Sequence, residues 1–156
     1  MELPNARRWV RAGALSGICT LAMVASACVG PARTFSVYEA KAVVSVEQAV
    51  SAVQSVHVAI SQALDDRNFA PYLSETMHDA EEDVTTAEGH FSSIQPPDAA
   101  SIRLRNEATA LLHRASTAVE GARIAIRSDD VLTLRGLNGD LPSLVSTLNR
   151  FVVEHR

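Results

Sequence analysis

Apolar residues recur at alternating steps of three and four along most of this chain, from Ser36 onward. Val43, Val46, Val50, Val53, His57, Ile60 and Leu64 form the first series, and Leu73, Met77, Ala80, Val84, Ala87, Phe91 and Ile94 the second. Leu104, Ala108, Leu111, Ala115, Ala118, Ala122 and Ala125 form the third, widened by Leu112, Val119 and Ile126. Leu134, Leu137, Leu141, Leu144, Leu148 and Phe151 form the fourth. Residues three and four apart share one face of a helix, so each series is the seam by which a helix packs on its neighbours.

Breaks fall where the series stop. Asp65-Asp66-Arg67-Asn68 ends the first helix, and Pro71 suits the first turn of the second. Gln95-Pro96-Pro97-Asp98 separates the second from the third, with Asp98 placed to cap the third. Ser128-Asp129-Asp130 makes the last turn. The fourth series contains Gly136, Gly139 and Pro142, which predicts a break near Asn138-Gly139-Asp140, with Asp140 capping a second segment. Short connections make consecutive helices antiparallel. The expected fold is all-α: an up-down-up-down four-helix bundle over residues 36–156, following an N-terminal signal helix, with the fourth helix broken near Gly139–Pro142.

The N-terminal stretch is patterned differently. Arg7, Arg8 and Arg11 precede an apolar or small run from Ala12 to Ala27. A run of about sixteen residues is short for a spanning helix, which needs roughly 20. A basic start, an apolar middle and a small-residue end are the order of a secretory signal. Ala25-Ser26-Ala27 followed by Cys28 resembles the bacterial lipobox, although the lipobox most often has leucine where Ala25 stands. The resemblance implies that Cys28 is acylated and becomes the mature N-terminus. Cleavage after Ala27 without acylation, or an uncleaved signal anchor, are the other readings of the same residues. Of the two cysteines, Cys19 lies inside the segment to be removed, so the mature chain keeps one thiol and forms no internal disulfide. Thioether lipidation gives that thiol a use, and two acyl chains suffice for stable anchoring. The domain organisation is then a lipoprotein signal peptide over 1–27, an acylated tether over 28–35 and the bundle over 36–156.

Composition and charge narrow the partners. Aromatic residues are 4% of the chain, so the core is aliphatic. The formal net charge is −4, and loss of residues 1–27 removes three of 14 basic and one of 18 acidic residues, leaving −6. That balance lacks the basic footprint of a nucleic-acid binder. Membrane contact is therefore expected through lipid on Cys28, not through surface charge.

Candidate chemistry is sparse. Glu75-Thr76-Met77-His78 is one half of a di-metal Glu-x-x-His arrangement, and no second half exists. His57 and Met77 both occupy seam positions, which would allow an inward His–Met pair such as a haem uses. His57 is the most unusual single residue, because a polar group in a seam costs stability unless partnered. Its readings are a partly buried structural histidine bonded to a facing side chain, or a pH or ligand sensor. The acidic run Asp79 to Asp83 spreads around its helix and reads as a solvated face. Arg103, Arg105, Arg114, Arg123 and Arg127 are concentrated on the third helix, and the first offers only Lys41. The secreted chorismate mutase type, which grips a dicarboxylate from facing helices, is not matched by that distribution.

The lipobox, the Ala/Val/Arg-rich composition and the helical pattern together resemble the small helical lipoproteins of uncharacterised function found in high-GC Gram-positive bacteria. The resemblance implies a membrane-anchored, extracytoplasmic, non-catalytic binding or scaffolding domain whose partner is another envelope protein. A small-ligand, metal- or haem-binding bundle is the alternative. No catalytic residue, metal ligand or cofactor is assigned, and Cys28 is the single residue given a definite chemical role.

Overall fold

A computed structural model describes residues 32–65 and 70–156, and Ala32–Arg156 forms a compact unit. Among the described residues there are four helices and no strand: α1 (Phe35–Leu64), α2 (Ala70–Ser92), α3 (Ala99–Arg127) and α4 (Val131–Glu154). One hydrophobic cluster, drawn from all four, fills the space between them. A unit with its own core and its own caps is able to fold by itself.

The starts of α1, α3 and α4 have a local cause. The Thr34 hydroxyl accepts from the Val37 N–H at 3.4 Å at the start of α1. Asp98 accepts from the Ser101 N–H at 2.8 Å at the start of α3, and Asp130 from the Thr133 N–H at 3.0 Å at the start of α4. These bonds satisfy N–H groups that have no partner inside the helix. The Ser101 N–H bond holds the Asp98 carboxyl below its ordinary pKa. The Thr133 hydroxyl and backbone do the same for Asp130. α1 is helical despite eight valines. Packing of its apolar face outweighs the weak helix propensity of β-branched residues.

α1 packs against all three other helices, and α3 also touches all three, whereas α2 and α4 do not meet. The close diagonal is therefore α1 to α3. Alanines explain it: Ala42, Ala49, Ala52 and Ala59 on α1 and Ala108, Ala115, Ala122 and Ala125 on α3 are all buried. Small side chains let two helix backbones approach closely.

The seam expected for α2 is buried at every position from Leu73 to Ile94. Those of α3 and α4 are buried apart from half-buried Ala118, Ile126 and Leu137. α1 departs from expectation. Ala42, Val46, Ala49, Val53, Val56 and Ile60 are its buried seam, with Val43 alongside, while Val50, His57 and Leu64 are only half-buried. A helix that faces three neighbours must bury a stripe wider than one seam.

The break expected near Gly139–Pro142 does not occur: α4 runs unbroken through Gly136, Gly139 and Pro142. Leu134, Leu141, Leu144, Leu148 and Phe151 are all buried on one continuous face. A break would pull part of that face out of phase. Each such side chain contributes roughly 1.5–3 kcal/mol by burial, against about 3 kcal/mol for one interior proline. Two leucines already outweigh the proline. Pro142 is exposed, so the carbonyl it leaves without a donor can turn to water.

Candidate functional site

A chemically varied concavity lies between α2 and α3. It is a cleft of about 490 Å³ lined by Leu73, Ser74, Met77, His78, Glu81, Arg123, Ile126, Arg127 and Asp129. Its floor follows from the helix pattern. Leu73 and Met77 are buried seam residues of α2, and Ile126 is a half-buried flank residue of α3. Ser74, His78 and Glu81 sit one position round from the α2 seam, so they form the rim. Arg123 and Arg127, one turn apart on α3, form the facing rim.

Glu81 and Arg123 meet across the cleft, with Glu81 Oε2 3.0 Å from Arg123 Nε. The carboxylate lies off the N–H direction, and the buried Nε has no hydrogen-bond acceptor. Asp129 closes the mouth from the turn between α3 and α4. That turn bonds the Asp130 N–H to the Ala125 carbonyl at 2.9 Å and the Asp129 N–H to the Ile126 carbonyl at 3.3 Å. This geometry puts Asp129 at φ 51°, the left-handed position where helices usually carry glycine. The rim thus offers two guanidinium groups, two carboxylates and an imidazole around an apolar floor.

Cys28 lies outside the described residues. His57 is half-buried, beside Val56, which is fully buried in the core. Its backbone carbonyl accepts from the Ser61 hydroxyl at 2.9 Å, and that hydroxyl also bonds Asn138 of α4 at 2.8 Å. Met77 faces the core, so these two residues are not an inward pair. Glu75 and His78 are both exposed on α2. Among the described residues no group of three or more histidine, cysteine and acidic side chains is placed to hold a metal ion. The α3 arginines diverge: Arg103 is exposed, Arg114 lines a groove toward α4, and Arg123 and Arg127 face α2.

A second polar feature is Tyr38, fully buried, with its ring 5.4 Å from that of Phe91 and its hydroxyl without a partner. Burial pushes its pKa up, opposed by the charge of Arg105. At the same region of α1, His155 Nδ1 lies 2.9 Å from Glu39, and Arg156 pairs with Glu47.

The sequence reading missed the α2–α3 cleft. Its signal was present as Arg123 and Arg127 at i, i+4 and His78 and Glu81 at i, i+3, each set adjoining a seam. Which rim faces which depends on the register between the helices. Compared with known proteins, the chain matches no family model, no curated protein and no solved structure.

Proposed function

We propose that this chain is an extracytoplasmic lipoprotein, held at the membrane by lipid on Cys28, and that its helical unit is a non-catalytic binding or scaffolding domain for another envelope protein. The carrying observation is Cys28 directly after Ala25-Ser26-Ala27 at the end of an apolar run with a basic start. Residues 29–156 contain no other cysteine, so acylation is the use left for this thiol. With helix α1 beginning at Phe35, the tether is short and holds the unit close to the bilayer. α1 is long and apolar enough to cross a membrane by length and composition, but half of its most apolar stretch is buried in the bundle. That burial supports a core helix in place of a span.

Up-down-up-down is the helix order in this reading. Contacts support it: Tyr38 near the start of α1 meets Phe91 near the end of α2, and Ser61 near the end of α1 meets Asn138 in the first half of α4. The outer face of α1 is suited to a protein partner. Val37, Val44 and Val58 lie there on one heptad series, in which Ser51 takes the remaining position, at about half exposure, and exposed Tyr72 of α2 lines a groove with Val58. No charged residue stands between Glu47 and Asp65.

Metabolic labelling with a fatty acid tests the anchoring. Label is expected on the wild-type chain and absent from Cys28→Ser, with the variant released from the membrane fraction. A labelled variant overturns the reading. The α2–α3 cleft favours a second reading, a small-ligand-binding bundle, because it combines an apolar floor with several polar groups.

A further inference from the structure

We infer that the α2–α3 cleft binds a small zwitterion with an apolar side chain, an α-amino acid of the leucine or methionine kind. This deepens the small-ligand reading and rests on it, and it is independent of how the chain is anchored. Arg123 and Arg127 are matched in the same cleft by Glu81 and Asp129. A lone carboxylate entering would be attracted by two cations and repelled by two anions, and a lone ammonium would meet the same cancellation. A molecule carrying both charges a few bonds apart can place each against its opposite.

The apolar floor of Leu73, Met77 and Ile126 takes the side chain, and Met77 adapts to branched or linear shapes. Arg123 is already paired with Glu81 at 3.0 Å, so the ligand carboxylate falls to Arg127, which is exposed on the same rim and has no ion pair among the described residues. Asp129 supplies the ammonium partner from a left-handed backbone position that glycine would hold with less strain. Strain of that kind persists where a side chain is used. A cleft of about 490 Å³ is within the size range of small-molecule sites.

Three probes sharing one carbon skeleton separate the charges: L-leucine carries both, 4-methylpentanoate only the anion, and L-leucinamide only the cation. Each is titrated to about 10 mM, the weak end of measurable affinity, against the Ala32–Arg156 unit, and the Met77, Ile126 and Leu73 methyl NMR signals are followed. Leucine is expected to shift those signals to saturation, with both single-charge probes at least tenfold weaker. Asp129→Asn tolerates the left-handed backbone and removes the charge, and Arg127→Gln changes an exposed residue of the last α3 turn. Both are expected to keep the fold and weaken leucine at least tenfold. Asp129→Gly is expected to melt higher while binding less. If 4-methylpentanoate binds as tightly as leucine, this proposal falls and the small-ligand reading stands. If Asp129→Asn and Arg127→Gln bind leucine unchanged, the proposal also falls. If none of the three probes moves the methyl signals, both fall.

Discussion

Removing the Tyr38 hydroxyl should stabilise the bundle. The residue is fully buried, its ring packs against Phe91, and its hydroxyl has no hydrogen-bond partner. Burying an unpaired hydroxyl costs roughly 1–3 kcal/mol. Tyr38→Phe removes that cost and keeps the ring contact with Phe91. The oxygen leaves a small gap, which takes back part of the gain. The net expectation is about 1 kcal/mol of added stability, or roughly 3–5 °C in Tm for a unit of this size. Urea unfolding should show a higher midpoint at an unchanged slope. The variant's advantage should widen with alkali. Burial raises the folded pKa of Tyr38 above 10.0, so the tyrosine in the unfolded chain ionises first. Stability present below that pH is then lost by the wild type as pH rises through the raised folded value. The phenylalanine variant has no such loss. A Tyr38→Phe variant less stable by 1 kcal/mol or more would show that the hydroxyl has a bonding partner inside the bundle, and the reasoning would be refuted.

Other outcomes follow from the same packing. Pro142→Ala should stabilise α4 by roughly 1–3 kcal/mol, because it restores a helix donor without disturbing the buried leucines; an unchanged urea midpoint would contradict this. His57→Leu should leave stability within about 0.5 kcal/mol, since the residue lies beside the core and not in it, whereas Leu148→Ala should cost about 2–5 kcal/mol; calorimetry compares the two. The capping carboxylates of Asp98 and Asp130 have folded pKa values lowered from 3.8, so the stability they contribute is present above that value and is lost as pH falls through the lowered ones. Asp98→Asn keeps a capping side chain, and its Tm should fall less than the wild-type Tm on acidification below about pH 4.

How much of this was legible in the sequence depended on how many neighbours each helix has. α2 touches only α1 and α3, its core face is narrow, and the spacing from Leu73 to Ile94 identified every buried position. α1 touches three helices, so a single seam understated its buried face and left out Val56, which is fully buried beside half-buried His57. In α4 the local signals of Gly139 and Pro142 opposed a continuous leucine series, and the burial of that series prevailed. The cleft was not legible because Glu81 and Arg123 become partners only through the α2–α3 register. The Asp129 backbone gave no sequence signal of its own, since aspartate is common in turns of any geometry.

The central claim is that Cys28 is the acylated N-terminus of the mature protein. Mass spectrometry of the N-terminal tryptic peptide from membrane-extracted protein tests it most directly. The account predicts a peptide running from Cys28 to Arg33, heavier than its amino acids by a diacylglyceryl group on the sulfur. A peptide starting at Cys28 with a free thiol, or one that retains residues before Cys28, would contradict it.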